Sequence, residues 1–325
     1  HAYPKSTCNL NFLIFLLIKG KIMQYKKMKC SKIMRELDSE EKARAWVWVA
    51  KFDGKEFDCP KCRHEEFYQH KKSPEIRECK SCHFDVRLRA NTIFQHSKIP
   101  MLIWLKALCL MTQGKRGISA LELQSELEMK SYDTAWRILH KIREALRQRD
   151  EQYKLNDIIE LDGGVFGKRC TGNQTEVLVA VESKDWIDHK GRQKSKAGFA
   201  KVMVTNENKE QAQKFVDENI EKDAKVHTDR GSALIHMDNI QIEHKAVSGD
   251  KELLDNWLPW VHKFISNAKS WVLGTHHGVD SKYLASYLSE YTFRFNRRHD
   301  PDSMFFRALG ACVKANPKNS QVLFG

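Results

Sequence analysis

The sequence predicts a multi-domain chain: a small zinc ribbon, a helical region, and then an α/β domain built on a mixed sheet. Three observations predict it. Two Cys-x-x-Cys pairs, Cys59/Cys62 and Cys79/Cys82, stand either side of a polar stretch at 63–78. Apolar residues recur at helical spacing as far as residue 150. From Leu155 onward, runs rich in Val, Ile and Leu or alternating apolar with polar replace them, in the order strand, strand, strand, helix, strand. At 325 residues the chain is long enough for two or three cores, and its 41% hydrophobic content marks most of it as folded.

A formal charge of +13 and a pI near 9.2 favour a polyanionic partner. The apolar run at 12–18 is far shorter than the roughly 20 residues that span a bilayer. Lys19, Lys21, Lys26, Lys27 and Lys29 follow it where a signal peptide would carry a small-residue cleavage site. Residues 1–35 therefore read as an extension outside the fold. The protein reads as intracellular with no membrane partner, in cytoplasm or nucleoid for a bacterial host and in the nucleus for a eukaryotic one. Four of the nine cysteines form the two close pairs and five are scattered. That usage fits a metal site in a reducing compartment, not a disulfide framework.

The first folded unit spans 36–90. A helix over 36–53 places Ala43, Trp46, Val47 and Ala50 on one side. Each Cys-x-x-Cys forms a tight knuckle offering two thiolates, and two knuckles complete a tetrahedral structural Zn²⁺ site. A redox dithiol fits poorly with two pairs, while His64, His70 or His83 are alternative ligands in place of one cysteine.

Residues 91–150 read as a helical region with Ile93, Phe94, Met101, Trp104, Leu105, Leu108 and Leu110 as core. Ser119 with Glu122 forms a capping box that opens a helix burying Ala120, Leu123 and Leu127. After a break at 128–130, Ser131 caps a second helix with Ala135, Ile138, Leu139, Ile142 and Leu146 inward. Its other side carries Arg137, Lys141 and Arg143, with Tyr132 and Thr134 in the first turn. Two helices, a short turn and an exposed basic second helix suggest a DNA-binding helix-turn-helix; the competing reading is an ordinary helical hairpin with a solvated basic face.

The α/β domain runs over 151–310, with a tail at 311–325. Its strands are predicted at 157–165, 176–181, 199–204 and 224–228, with a helix over 208–220. The first strand delivers Asp162 at its end, beside Gly163 and Gly164, and the fourth delivers Asp229. A strand-end carboxylate with no bulk beside it suits a divalent ion and a phosphate; the plainer reading is an acidic residue opening a turn. This element order is that of an RNase-H-like fold, whose first and fourth strands are neighbours, so Asp162 and Asp229 are expected to share a metal. A helix over 260–272 carries His262, Ser266 and Lys269 as a polar stripe, and 274–278 is expected to break the chain. In 293–298, alternating Arg294 and Arg297 are expected to face phosphate.

Together these features resemble insertion-sequence transposases of the ISXO2-like family, which join an N-terminal zinc ribbon to an RNase-H-like DDE catalytic domain. The resemblance covers roughly residues 40–310. It rests on the four cysteines, Asn91-Thr-Ile-Phe94, Lys98-Ile-Pro100, Thr134-Ala-Trp136, Glu160-Leu-Asp162 and Gly167-Lys168. Thr228-Asp-Arg-Gly231, Ser266-Asn-Ala-Lys-Ser-Trp271, Gly274-Thr-His-His-Gly-Val279, Lys282-Tyr-Leu284 and Phe293-Arg-Phe-Asn-Arg-Arg298 complete it.

The resemblance implies an active site of two Asp and a third ligand, often Glu, followed by Lys seven residues on. The motif puts these at Asp162, Asp229, His262 and Lys269. Here the third position departs from the acidic pattern, which leaves Asn267 and Glu290 as lesser candidates, and Gly163 stands where the family commonly has Glu. Implied cofactors are Mg²⁺ (or Mn²⁺) on Asp162, Asp229 and His262, beside Zn²⁺ on the cysteines. Implied partners are the terminal inverted repeats, target DNA and a second copy of the chain, as dimer or larger assembly. The alternative is a domesticated DNA-binding protein with an inactive catalytic core.

Overall fold

The computed structural model describes residues 27–70, 72–167, 174–187, 190–205, 208–229, 237, 238, 240–244, 257–318 and 323. The chain divides into two compact units, 1–113 with 126–129 and 301–325, and 114–125 with 130–300. The apolar run at 12–18, Lys168, Arg230 and Gly231 lie outside the described residues.

The first unit holds helices α1 (Cys30–Glu36), α2 (Glu40–Lys51), α3 (Met101–Thr112) and α9 (Pro301–Lys314), with strands β1 (Phe67–Gln69), β2 (Ile76–Cys79) and β3 (Asp85–Arg87). Helix α2 starts at Ser39, whose hydroxyl accepts from the Lys42 amide at 3.3 Å. Its buried residues include the expected Ala43, Trp46, Val47 and Ala50. Pro100 precedes α3 without a side-chain cap. The Glu40 carboxylate of α2 serves instead, accepting from the Met101 and Leu102 amides at 2.8 Å each.

Three expectations are corrected here. Residues 27–35 are not outside the fold: Ile33 is buried, and the Met28 amide donates to Asp302 O at 2.8 Å. The C-terminal boundary at 310 cuts a helix, because α9 continues to Lys314 with Cys312 and Val313 buried. Phe305 and Phe306 recur on its apolar side and pack on Trp46 of α2, so residues 301–315 belong with the first unit. Finally, Cys30 and Cys109 are joined by a disulfide tying α1 to α3. The scattered cysteines are therefore not all free thiols, since helix packing joins two positions that spacing cannot relate.

The second unit holds α4 (Ala120–Glu126, continuing one residue beyond the unit), α5 (Tyr132–Asp150), α6 (Lys209–Asn219), α7 (Pro259–His276) and α8 (Ser281–Asn296) around a mixed sheet. Its strands are β4 (Ile158–Phe166), β5 (Thr175–Ile187), β6 (Gln193–Val204), β7 (Lys225–Thr228) and β8 (Gln241–His244). The strand order is β6-β5-β4-β7-β8; β4, β5 and β6 pair antiparallel, whereas β7 runs parallel to β4 and β8 parallel to β7. The first and fourth predicted strands are thus neighbours. Strand β8 was not expected: it is four residues long, lies at the sheet edge and alternates exposed with half-buried positions, which leaves little apolar signal.

Each sheet face has its own core, set by the two-residue alternation of strand side chains. Ile159, Leu161, Leu178, Ala180 and Val226 pack with Ala212, Phe215 and Val216 of α6. Phe166, Val177, Val179 and Val181 pack with Phe264, Ile265, Ala268 and Val272 of α7 and with Leu284 and Leu288 of α8. Each fully buried large side chain contributes roughly 1.5–3 kcal/mol. Gly164 permits the close approach of α7: a Cβ there would meet Ile265 Cγ2 at 3.1 Å.

Helix α7 continues through Gly274 and ends at His277, which caps it in the left-handed conformation at φ 56°. The chain therefore breaks at His277 and Gly278, later than the glycine at 274 suggests.

Candidate functional site

Strand β4 brings Glu160, Asp162 and Gly164 to the face covered by α7. Two of these make the site's defining contacts. Asp162 Oδ2 lies 3.1 Å from His262 Nε2, and Oδ1 accepts from the Gly163 amide at 2.8 Å. Side-chain exposures of 18% for Asp162 and 22% for His262 leave both reachable from solvent. The β4–β7 register pairs Leu161 with Thr228, so Asp162 and Asp229 follow one step beyond it on adjacent parallel strands. Asp229 is half-buried. The ligand atoms of Asp162, Asp229 and His262 are not all within 4.8 Å of one another; among the described residues, that spacing is reached by two other groups.

Helix α7 faces the site with His262, Ser266 and Lys269, of which Ser266 and Lys269 are exposed, while Val261, Phe264, Ile265 and Ala268 are buried. Lys269 lies two turns beyond His262, about 10 Å along the axis by helix rise, with Nζ 5.7 Å from the Phe166 ring centre. Asn267 is exposed on α7. Glu290 is fully buried on α8 and ion-paired with Arg143, which removes it as an alternative metal ligand.

Two residues that sequence reasoning passed over position this site. Glu160 is 2% exposed, and its Oε2 accepts from the amides of Trp260 at 2.6 Å and Val261 at 3.0 Å. It thereby caps the first turn of α7 one residue before His262. Burial pushes the Glu160 carboxyl up, opposed by those amide hydrogen bonds. The signal was present in the strand itself: an acid two residues before Asp162 in an apolar run must share its face. Trp257 stacks on His227 with ring centres 4.2 Å apart, and its Nε1 donates to Thr228 O at 3.0 Å. It joins the approach to α7 to the end of β7, beside Asp229.

The four cysteines of the ribbon converge as expected, with all Sγ atoms within 4.8 Å. Cys59–Cys82 and Cys62–Cys79 Sγ separations are 3.6 and 3.5 Å. A tetrahedral ion with Zn–S bonds of about 2.3 Å spaces its sulfurs roughly 3.8 Å apart, so the cluster fits zinc. The knuckles are built alike. Arg63 and His83 each follow the second cysteine at φ 63° and 56°, and the Cys59 and Cys79 amides donate to His64 O and Phe84 O at 3.0 Å.

The proposed nucleic-acid residues divide. The capping box is formed, Glu122 N–H to Ser119 Oγ at 3.2 Å and Ser119 N–H to Glu122 Oε2 at 3.1 Å, and Ser131 accepts from Thr134 N–H at 3.5 Å. Ser131, Tyr132 and Arg137 are exposed, Thr134 and Lys141 half-buried, and Arg137 pairs with Asp133 at 2.8 Å.

Arg143 is a correction. It is 1% exposed, donates through Nε to Glu290 Oε2 at 2.8 Å and lies 3.7 Å over the Tyr287 ring. Helix α5 is buried on a second side by α8, so this basic position points inward. Arg294 and Arg297 are corrected likewise. Arg294 is 6% exposed and donates to Gly114 O at 2.6 Å. Arg297 grips Asp150 with two hydrogen bonds of 2.6 and 3.1 Å. Arg294 lies in the last turn of α8 and Arg297 caps it, Arg294 facing the buried Glu290 at 3.7 Å and Arg297 the buried Asp150. Gly117 (φ 72°) seats this cluster closely; a Cβ there would fall 2.9 Å from Glu290 Oε1.

The fold and site define an α/β domain that presents Asp162 and His262 together at its central strand, with a second Asp ending the neighbouring strand. Residues 151–296 match the ISXO2-like transposase domain, which supports an insertion-sequence transposase. A comparison with curated proteins finds no match. Among the described residues, no helix is long and apolar enough to cross a membrane.

Proposed function

We propose that the protein is a DNA transposase that binds the terminal repeats of an insertion element and cleaves and transfers DNA strands with divalent metal. The juxtaposition of Asp162 and His262 at the α7-facing side of β4 carries this reading. The strand order and directions of the sheet support an RNase-H-like domain. Asp162 lies in the middle of β4, which continues to Phe166 past the strand end expected from sequence, and Asp229 follows the end of the adjacent β7.

Two carboxylates and a neutral imidazole form a donor set suited to Mg²⁺ or Mn²⁺, with the imidazole favouring Mn²⁺ as the softer ion. Such ions, when bound, polarise the phosphoryl group and lower the pKa of the attacking water or 3′-hydroxyl. Asp162 and Asp229 hold them, and His262 contributes a neutral ligand from the opposite wall. Glu160 fixes the first turn of α7 and so the approach of His262 to Asp162. Lys269 places a point charge for a nearby phosphate. Zn²⁺ on Cys59, Cys62, Cys79 and Cys82 supports the ribbon. The ribbon and the exposed part of α5, with Ser131, Tyr132, Thr134, Arg137 and Lys141, contact terminal-repeat DNA, positioning through phosphates and reading base edges. Joining two element ends calls for a dimer or larger assembly.

The test is incubation of the purified chain with labelled terminal-repeat DNA under Mg²⁺, Mn²⁺ or no metal, with Asp162→Asn and Asp229→Asn in parallel. Metal-dependent cleavage that both substitutions abolish, with specific binding retained, is the expected result. A normal rate in either variant sinks the proposed metal site. A second reading, a domesticated DNA-binding protein, is favoured by the histidine at the third position and by the wider spacing of the three donors. Specific binding with no cleavage under either metal would establish it.

A further inference from the structure

A second group of metal-ligating side chains converges on the outward face of the ribbon sheet. His70 Nε2 lies 3.7 Å from Glu78 Oε2 and 3.6 Å from Asp85 Oδ1, and the three donor atoms lie within 4.8 Å of one another. Arg77, Cys79 and Val86 occupy the opposite, buried side of the same strands. The group is therefore distinct from the cysteine cluster, although Glu78 adjoins Cys79.

Three features point to a cation here. The β2–β3 register sets Glu78 directly opposite Asp85, and like charges facing each other across a ladder destabilise it unless something neutralises them. His70 Nε2 is shut off from solvent yet has no hydrogen-bond partner, because 3.6–3.7 Å is too long for a hydrogen bond. Those separations instead approach the ligand spacing of a tetrahedral ion, roughly 3.3 Å for Zn–N and Zn–O bonds of about 2.0–2.1 Å. The carboxylate of Glu78 is also held from behind, its Oε1 lying 2.7 Å from His83 Nδ1. Outer partners of that kind orient metal ligands.

We propose that His70, Glu78 and Asp85 form a second divalent-metal site on the ribbon, made of nitrogen and oxygen donors and suited to Zn²⁺ or Co²⁺. Imidazole selects ions of this class over Mg²⁺. Three protein ligands leave a tetrahedral ion one open position.

The full chain carries Asp162→Asn, Asp229→Asn and His262→Ala, which removes the ligands proposed for the catalytic metal. Its cysteine site is first filled with Zn²⁺, and it is then titrated with Co²⁺ and followed by visible absorption. One further equivalent is expected, with ligand-field bands and no thiolate charge-transfer band. His70→Ala and Asp85→Asn should each weaken that equivalent at least tenfold. The same variants, prepared with Co²⁺ in the cysteine site, should keep its thiolate band, which reports a folded ribbon. Absence of a second equivalent, or unchanged affinity in either variant, overturns the proposal. Should a variant lose the thiolate band, X-ray absorption on the second ion of the chain that lacks only the catalytic ligands Asp162, Asp229 and His262 decides. Imidazole with oxygen and no sulfur supports the site, and sulfur or a shell without imidazole overturns it.

Discussion

Glu160 Oε2 accepts a 2.6 Å hydrogen bond from the Trp260 amide, so a strand residue of the central sheet caps a helix that begins a hundred positions later. This contact sets where α7 starts and therefore where His262 meets Asp162. The first unit uses the same device, with Glu40 of α2 capping α3.

Replacing Glu160 with Ala leaves two amides at the start of α7 without their acceptor. Loss of about 1–3 kcal/mol is expected, measured by urea unfolding, together with reduced cleavage and retained DNA binding. Glu160→Gln tests the charge. Burial raises the folded-state pKa of Glu160 above its unfolded value, so the folded state holds the proton more tightly. Its contribution to stability is greatest below the unfolded pKa, near 4.5, and declines as pH rises through the folded value. The glutamine variant should lose that part of the pH dependence; an unchanged profile would show that Glu160 does not titrate as its burial implies.

His262→Ala should lower metal-dependent cleavage by at least the roughly 10- to 100-fold typical of disturbing a metal site. His262→Asp should shift preference from Mn²⁺ toward Mg²⁺, since it exchanges a nitrogen donor for a charged oxygen. Rates at matched concentrations of the two ions give the answer. An alanine variant that cuts at the normal rate would remove His262 from the ligand set.

Arg143 distinguishes a buried ion pair from a DNA contact. Arg143→Ala removes the closer of the two arginines that face the buried Glu290, leaving Arg294 at 3.7 Å, and should destabilise the chain by about 3–5 kcal/mol, whereas Lys141→Ala should change stability little. In titrations with terminal-repeat DNA, Lys141→Ala should reduce the salt dependence of binding. The folded fraction of Arg143→Ala should bind with an unaltered salt slope; a reduced slope would return Arg143 to the interface.

Removing zinc with a chelator should loosen the ribbon, because the thiolates hold both knuckles. Trp48 reports the change: it stacks on Phe52 at 5.7 Å, with the Arg77 guanidinium of β2 4.5 Å from its ring centre. A red shift in tryptophan emission, reversed by added Zn²⁺, is expected. It should be absent in Cys59→Ser that has already lost its zinc.

Much of this molecule is written in local pattern. The ribbon follows from two Cys-x-x-Cys pairs, the starts of α4 and α5 from Ser119 and Ser131, and the site strand from the apolar run that leads to Asp162. The order of strands was also legible, because each carries its own alternation. These signals act within a few residues, where backbone geometry alone relates one side chain to the next.

Tertiary structure decided which polar side chains face inward. Helical periodicity places Arg143 opposite an apolar stripe, and only the packing of α8 on that second side reveals Glu290 as its partner. Arg294 and Arg297 read as a phosphate-facing pair until Gly114 and Asp150 appear beside them. Residues 27–35 read as an extension and 301–310 as part of the α/β domain, yet Ile33 is buried in the first unit and Phe305 and Phe306 pack there on Trp46. Glu160 looks like an interruption of its strand. Each of these roles depends on a partner far away in the chain, and burial makes that partner obligatory: a charge withdrawn from water is tolerated only where another chain segment supplies its counter-ion or hydrogen bonds.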